Sequence, residues 1–188
     1  MSSLTNILKD NEPSPKATGS RYIFDIETNG LIRDCTHIHC IGLYDIETDQ
    51  TLVFNDEGTE EPVSRAITYL EEASEIIGHN IIGYDIPVIK KLFPWFEPQG
   101  RVTDTLLLSR LYHPDLLQTD KRRRWKDMPL KQYGRHSLEA YGYRLGVHKG
   151  DFGKDTDWKH WSQEMQDYMV QDVNVTNQLW KHFHPYLH

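Results

Sequence analysis

The chain has 188 residues, of which 38% are hydrophobic and 26% charged, and its formal net charge is −7 at neutral pH. This length suits one domain with a sizeable core and leaves no room for a polymerase or helicase module beside it. The acidic balance argues against broad attraction to nucleic acid, unless divalent cations neutralise some of the carboxylates. No segment resembles a membrane span or a signal peptide, so we expect a cytoplasmic protein that does not contact membranes.

The first 20 residues differ in composition from the rest of the chain. Residues 1–20 are polar, include Pro13 and Pro15, and contain too few apolar side chains to pack into a core. We therefore expect them to form a flexible tail. The remainder, residues 21–188, is expected to form a single domain.

Strand and helix signals alternate through this domain. Short apolar runs predict five strands, near 21–27, 37–44, 51–55, 76–78 and 101–103. Apolar residues at helical spacing predict five helices, over 62–73, 85–93, a segment through Leu107 and Leu111, 138–145 between a Ser137 cap and Gly146, and 162–183. The charged stretch 118–135 is predicted to be irregular. This order indicates an α/β fold with a mixed sheet whose first three strands are antiparallel.

The tetrapeptide Asp-Ile-Glu-Thr occurs twice, at 25–28 and at 45–48. Residues i and i+2 of a strand point to the same face, so Asp-x-Glu can aim two carboxylates at one cation. The first copy ends an apolar run and precedes Asn-Gly, which indicates the end of a buried strand. The second copy lies between two strand-like runs, which indicates a solvent-facing turn. Asp25 and Glu27 are therefore the candidate ligands, and Asp45 is an internal control.

Two further acids interrupt apolar helical faces. Asp172 falls inside the stripe of the last helix, which consists of Met165, Met169, Thr176, Leu179 and Phe183. Asp85 lies at the start of a second apolar helical face, which consists of Val88, Ile89 and Leu92. A buried unpaired carboxylate is strongly destabilising, so a capping role for Asp85 and an arginine partner for Asp172 are open alternatives. Together with Asp25 and Glu27, however, four acids directed at one core region predict cation binding.

A cluster of cysteine and histidine residues offers a different metal site. Cys35 and Cys40 flank a segment that contains His37 and His39. Their spacing matches no common zinc pattern, and all four residues belong to one strand or the segment just before it. Structural packing is therefore preferred to a zinc site.

A basic run near the middle of the chain could contact nucleic acid. Arg122, Arg123 and Arg124 could bind phosphates, and Trp125 could stack on a base. The alternative is a loop that simply faces water, as charge runs usually do.

Three separated groups of residues resemble the exonuclease motifs of the DEDDy class in the DnaQ-like, ribonuclease H-fold superfamily. The groups are Asp25-x-Glu27, Asn80-x-x-x-Tyr84-Asp85 and Tyr168-x-x-x-Asp172. Segments 103–111 and 136–146 are similar to the proofreading exonuclease domain of family A DNA polymerases of short-tailed phages. The likeness runs from about residue 21 to residue 183. The N-terminal tail and the absence of a downstream polymerase depart from that pattern.

The resemblance implies a ribonuclease H-like fold, with a mixed five-stranded sheet flanked by helices. It also implies a metal-dependent 3′ to 5′ exonuclease that releases nucleoside 5′-monophosphates from single-stranded or frayed DNA ends. Two Mg²⁺ ions, which Mn²⁺ can replace, would be bound by Asp25, Glu27, Asp85 and Asp172, because hard cations prefer oxygen ligands. Tyr168 would orient the attacking water.

The resemblance also suggests substrate contacts and partners. Leu31 would pack against the terminal base; the alternative is an ordinary apolar residue after a turn. Asn80 would order its loop and could reach the substrate. The implied partners are the 3′ ends of nucleic acid, with DNA preferred to RNA, and a separate DNA polymerase. The implied process is replication proofreading or DNA processing. If the chain is phage-encoded, the implied location is the host cytoplasm. Two alternatives stay open: a 3′ to 5′ exoribonuclease of the same class, and a non-catalytic subunit that binds nucleic acid or a polymerase.

Overall fold

The structure, a computed structural model, describes residues 19–147 and 157–187. Residues 1–18 of the predicted tail lie outside the described residues. The strands are β1 (Arg21–Thr28), β2 (Ile38–Asp45), β3 (Gln50–Asn55), β4 (Glu75–Gly78) and β5 (Arg101–Asp104). The α-helices are α1 (Val63–Glu72), α2 (Asp85–Leu92), α3 (Thr105–Tyr112), α4 (Leu116–Arg123), α5 (Leu138–Leu145) and α6 (Gln163–Phe183). Within the described ranges, no helix is both long enough and apolar enough to span a membrane.

The five strands form one mixed sheet in the order β3-β2-β1-β4-β5. The pairs β1–β2 and β2–β3 are antiparallel, whereas β1–β4 and β4–β5 are parallel. The α/β class and the antiparallel arrangement of the first three strands are therefore confirmed. Because β1, β4 and β5 are parallel, their carboxyl ends meet at one edge of the sheet, where open α/β sheets place their ligand sites.

Alternation along β1 directs its side chains to two different cores. The residues that pack towards α1 and α2 are Tyr22, Phe24 and Ile26. Ile23 points to the opposite face and packs with Met169 and Val173 of α6. Asp25 and Glu27 follow Ile23 at intervals of two residues, so they face α6 at the end of the strand.

Gly42 allows α6 to lie close to the sheet. It is the partner of Asp25 in the β1–β2 ladder. A Cβ atom at this position would lie 2.2 Å from Met169 Sδ and 3.0 Å from Val173 Cγ2. Both α6 residues are fully buried, so a larger side chain at position 42 would push the helix outward. Because α6 carries Asp172, the space above Gly42 controls how closely Asp172 approaches Asp25.

The predicted ends of two helices are confirmed. Ser137 caps α5 by accepting a hydrogen bond from the Ala140 N–H, and Gly146 ends this helix in the left-handed region with φ of 69°. Ser162 caps α6 in the same way, through the Met165 N–H. These caps fix the starting points of the two helices that border the predicted site.

The prediction of an irregular stretch at 118–135 is wrong. It contains all of α4 except its first two residues, and also a 3₁₀ turn at Leu130–Gln132. The cause is Asp120, which is fully buried and ion-paired with Arg144 at 2.8 Å. Its carboxylate also accepts hydrogen bonds from Trp125 Nε1 at 2.7 Å and from the Gly134 N–H at 2.8 Å. This stretch is therefore ordered around one buried ion pair.

We expect Gly42→Ala to lower the free energy of unfolding by about 1–3 kcal/mol, as overpacking of a filled core does. Without the close approach of α6, alanine should be neutral or slightly stabilising, since glycine weakens a strand. Urea unfolding monitored by circular dichroism measures the change. In a Met169→Ala background the added methyl group has space, so the same substitution should be less destabilising. Equal stability of Gly42→Ala and the parent protein would rule out the close approach.

Candidate active site

Carboxylates from β1 and α6 converge at the carboxyl end of β1. Asp25, Glu27 and Asp172 each offer an oxygen atom, and the three atoms lie within 4.8 Å of one another. Within the described residues, no other group of three acid, histidine or cysteine side chains converges in this way. Oxygen-only ligand sets suit Mg²⁺ and Mn²⁺ better than softer metals. The residues present therefore fit the metal that the sequence predicts.

Asp85 faces the same cluster from the first turn of α2. It is only 4% exposed. Its charge raises the pKa of both Glu27 and Asp25. Its carboxylate is outside the group that converges within 4.8 Å. The carboxylate accepts hydrogen bonds from its own N–H and from the Ile26 N–H. The N-cap of α2 is Tyr84 and not Asp85, so the capping alternative is not observed. Asp85 belongs to the electrostatic environment of the cluster.

Desolvation raises the pKa of each of these acids. It is the largest cause at every one, and repulsion between the carboxylates adds to it at Asp25 and Glu27. The pKa of Glu27 rises to about 8, and those of Asp85 and Asp172 rise to about 7. The pKa of Asp25 is also well above its usual range. A bound divalent cation would favour the ionised forms, because its charge offsets both the desolvation and the repulsion.

Tyr168 is the hydrogen-bond partner of Asp172. The two residues lie one turn apart on α6, and the tyrosine hydroxyl donates to the carboxylate. Burial, followed by the charge of Asp172, raises the pKa of Tyr168, so the hydroxyl keeps its proton and remains a donor. The arginine partner considered for Asp172 is not observed, since no ion pair between described residues includes this carboxylate.

The second tetrapeptide copy lies in the turn between β2 and β3, as predicted. Asp45 Oδ1 accepts a hydrogen bond from the Glu47 N–H at 2.9 Å, which stabilises the turn. The exposed side chain of Glu47 pairs with Arg21 at 2.8 Å. Neither carboxylate belongs to the converging group, so Asp45 is a suitable control position.

The acid cluster lies between two cavities. The smaller cavity, of about 300 Å³, has walls that include Glu27, Leu31, Tyr84 and Trp158. The larger cavity, of about 560 Å³, has walls that include Asp25, Asn80, Arg110, Arg135, His136 and Asp172. A phosphate group at the cluster would therefore have space on both sides for the groups attached to it.

The part of the chain that forms this sheet and carries the carboxylate cluster matches a known family. The family model for the RNase_H superfamily matches residues 22–184. The chain belongs to the ribonuclease H superfamily. This membership confirms the fold that the three motifs predicted.

The ribonuclease H-superfamily domain is similar to part of two phage polymerases. The DNA-directed DNA polymerase of Escherichia phage T7 is 33% identical in a match that covers 84% of this chain and 25% of the polymerase. The enzyme of Enterobacteria phage T3 is 32% identical, with the same coverage. The chain thus spans about a quarter of the length of these curated relatives.

A solved structure shows the same fold. Brucella melitensis NrnC bound to pGG has a TM-score of 0.56 and 18% identity, over 89% of this chain and 75% of that chain. At this level of identity, the likeness establishes the fold alone.

In this ribonuclease H-superfamily domain, Leu31 lies in the wall of the smaller cavity. Its side chain is 75% exposed. The turn that presents it is fixed by Tyr84, whose hydroxyl donates to the Gly30 carbonyl at 2.8 Å and lies 2.5 Å from Thr28 Oγ1. The apolar side chain of Leu31 is therefore accessible next to Glu27.

Asn80 lies in the wall of the larger cavity, on a loop held by a residue that the sequence pattern did not identify. Asp104, at the end of β5, accepts hydrogen bonds from the Asn80 N–H at 2.9 Å and the Ile82 N–H at 3.0 Å. These bonds hold Asn80 in a left-handed conformation with φ of 65°. A signal for Asp104 existed, because it follows a predicted strand and caps the next helix.

The predicted basic run lines neither cavity beside the acids. Arg122 is exposed, with its guanidinium 3.9 Å from Asp115. The Arg123 guanidinium lies 5.2 Å from the centre of the Trp125 ring, and the indole N–H is bonded to a buried carboxylate. Only Arg124 borders another groove that adjoins the larger cavity. The four side chains therefore lie on separate surfaces, and their contact with phosphates or bases stays a prediction.

Other basic residues, which the sequence pattern did not identify, line the larger cavity. These are Arg110, Arg135 and His136. The last two directly precede Ser137, the N-cap of α5, and a helix N-terminus favours a nearby phosphate. Their position before a predicted helix was therefore a usable signal.

The cysteine and histidine cluster packs within the fold, as preferred. Cys35 and Cys40 are buried, form no disulfide, and belong to core clusters on opposite faces of the sheet. His39 Nε2 lies 2.9 Å from the carbonyl oxygen of Trp158. The two sulfur atoms therefore have no common position for a zinc ion.

We expect the cation-free protein to lose stability as the pH rises from about 5 to about 8. The folded-state pKa values of Glu27, Asp85 and Asp172 are raised to about 7 or 8, above their ordinary values near 4. In this window the folded state binds more protons than the unfolded state, so stability falls with rising pH. Thermal unfolding in EDTA and in MgCl₂ should show a Mg²⁺-dependent increase in Tm that grows with pH.

A matched pair of variants controls this experiment. At high pH, Asp25→Asn should raise the Tm in EDTA and reduce the effect of Mg²⁺, because it removes one repelling charge and one ligand. Asp45→Asn keeps the acceptor atom of its turn and should change neither value. A Mg²⁺-dependent increase that is the same at all pH values, or the same in Asp25→Asn as in the parent, would contradict the assignment.

Proposed function

We propose that this domain is a metal-dependent 3′ to 5′ exonuclease that hydrolyses phosphodiester bonds at DNA ends and releases nucleoside 5′-monophosphates. The observation that carries the proposal is the convergence of Asp25, Glu27 and Asp172 within 4.8 Å, between two cavities. Mg²⁺ is the proposed cation, with Mn²⁺ as a substitute, because the site offers carboxylate oxygen atoms. The DEDDy resemblance supports the 3′ polarity.

The protein's contribution is to position ligands for the cations. Asp25, Glu27 and Asp172 would hold them directly, with Asp85 completing the acidic set. Two such ions, when bound, supply an activated water and stabilise the charge that develops on the leaving oxygen. Tyr168 fixes the Asp172 carboxylate through its hydroxyl. Orienting the attacking water is its proposed second role.

The two cavities suggest how the strand lies across the cluster. The smaller one is the proposed site of the terminal nucleoside, because the exposed Leu31 side chain offers apolar contact to a base. The larger one would hold the adjoining nucleotides, with Arg110 and Arg135 available to their phosphates. A small compartment on one side and a larger cleft on the other favour cleavage at a chain end.

DNA is the proposed substrate and a DNA polymerase the proposed partner. The support is the similarity to phage T7 DNA polymerase, of which this chain covers 25%. A role in replication proofreading or DNA processing follows from that partner. The carboxylate set itself would contact phosphate and not the sugar, so RNA serves as the comparison substrate in the assay below.

We expect Asp25→Ala to abolish nucleotide release, because it removes a central metal ligand, whereas Asp45→Ala should retain it. The assay uses single-stranded DNA, duplex DNA and RNA, each labelled at the 5′ end, with Mg²⁺ or EDTA. Cleavage from the 3′ end gives a ladder of progressively shorter labelled strands. Immediate release of a labelled mononucleotide would instead show cleavage from the 5′ end and refute the 3′ to 5′ direction. Activity in EDTA, or activity of Asp25→Ala equal to that of the parent, would refute the proposed chemistry.

We expect Tyr168→Phe to lower activity by about 10–100-fold, the usual effect of removing a hydrogen bond to a metal ligand. The side chain keeps its size, so the fold should be unaffected. Steady-state kinetics at several Mg²⁺ concentrations separates a lower kcat from weaker metal binding. Tyr186→Phe, at an exposed position near the C-terminus, is the matched control. Unchanged kcat and Mg²⁺ dependence in Tyr168→Phe would exclude the proposed role.

A further inference from the structure

A second groove adjoins the larger cavity and combines basic, aromatic and apolar side chains. Its volume is about 610 Å³, and its walls include Leu117, Lys121, Arg124, Leu130 and Tyr133. None of these residues is acidic. Among the ion pairs between described residues, none includes Lys121 or Arg124. In a chain of net charge −7, this surface suits an anionic ligand that also carries apolar groups.

The groove and the larger cavity meet at Gly134. Tyr133 lines the groove, whereas Gly134 and Arg135 line the cavity. Gly134 has φ of 75°, and a Cβ atom on it would lie 2.9 Å from Leu117 Cβ. Its N–H is held by the buried Asp120 carboxylate at 2.8 Å. Gly134 of the cavity wall is therefore packed against Leu117 of the groove wall, so the two spaces lie side by side.

The end of α4 divides the basic run between two surfaces. Arg124 adopts a left-handed conformation with φ of 50° and lines the groove. Arg123 instead lines a separate cavity together with Trp125. The groove therefore uses one residue of the predicted basic run and adds Lys121 and Tyr133, which the sequence pattern did not select.

We infer that this groove binds single-stranded nucleic acid upstream of the bond that is cleaved. Lys121 and Arg124 contact phosphates, and bases pack against Tyr133 and the 80% exposed Leu130. The inference rests on the proposed function, because it takes the acid cluster as the position of the strand end. A dinucleotide would therefore occupy only the space beside the acids, whereas a longer strand would also contact the residues of the groove.

The experiment measures binding of oligodeoxythymidylates with Ca²⁺ in place of Mg²⁺ to prevent hydrolysis. A 5′-fluorescent strand of about 12 nucleotides, within the range of single-strand sites, reports affinity by anisotropy. Unlabelled thymidine dinucleotide competes for the space beside the acids. The test variant is Lys121→Ala with Arg124→Ala. The control, Lys126→Ala with Lys131→Ala, removes the same charge from exposed neighbours that do not line the groove.

We expect the test variant to bind the longer strand at least tenfold more weakly and with a shallower salt dependence, by about 1.4 in the log–log slope for two lost phosphate contacts. Its affinity for the dinucleotide should not change, and the control variant should match the parent for both ligands. Leu130→Ser should weaken binding of the longer strand but not of the dinucleotide, and it should leave the salt dependence of binding unchanged. Thermal unfolding of each variant confirms that it is folded.

Three results would overturn the inference. One is an unchanged affinity of the test variant for the longer strand, which would leave the groove to a protein partner. The second is an equal loss of affinity in the control variant, which would indicate that only the total positive charge matters. The third is an equal loss of affinity for the dinucleotide in the test variant. The proposed function fails differently. If the parent protein binds the strand through the groove but releases no nucleotide in Mg²⁺, the activity is refuted, whereas the binding of single-stranded nucleic acid by the groove is retained.

Discussion

The structure depends on a group of mutually repelling carboxylates held together at the end of β1. Glu27 is buried, and Asp25 and Asp172 keep only part of their surface open to the larger cavity. Desolvation and repulsion both disfavour the charged forms, as the raised pKa values of these acids show. The poorly hydrated environment that destabilises the free carboxylates also strengthens their attraction to a bound cation. The arrangement is therefore suited to binding cations, and the ionised carboxylates are destabilising when no cation is bound.

Two other buried acids show the contrast. Asp104 accepts hydrogen bonds from three backbone N–H groups. Asp120 has an ion pair with Arg144 as well as two further donors. These two carboxylates are stabilised by the protein alone, and they hold the loops that form the walls of the larger cavity. The carboxylates of the cluster also have donors, such as the Ile26 N–H for Asp25 and the Tyr168 hydroxyl for Asp172, but desolvation outweighs them and their pKa values are raised. This excess of desolvation over stabilising donors is the physical distinction between a structural acid and a candidate metal ligand.

Local periodicity predicted much of this arrangement, and long-range contacts account for what it did not. Strand alternation was enough to pair Asp25 with Glu27, and the helical stripe of α6 was enough to identify Asp172. The order around Asp120 could not be predicted, because it depends on Arg144, which lies 24 residues further along the chain. The directions of Arg123 and Arg124 diverge because α4 ends in a left-handed residue, a detail that a run of like charges does not reveal. The cavities themselves arise only when α3, α5 and the loops pack together.

The central claim is that the carboxylates at the end of β1 bind divalent cations. It is tested most directly by X-ray diffraction from crystals soaked in MnCl₂, with anomalous difference maps that locate the metal. The account predicts anomalous peaks within bonding distance of Asp25, Glu27 and Asp172, and none beside Asp45 and Glu47. A map with no peak at the cluster, at Mn²⁺ concentrations that support activity or raise the Tm, would contradict it.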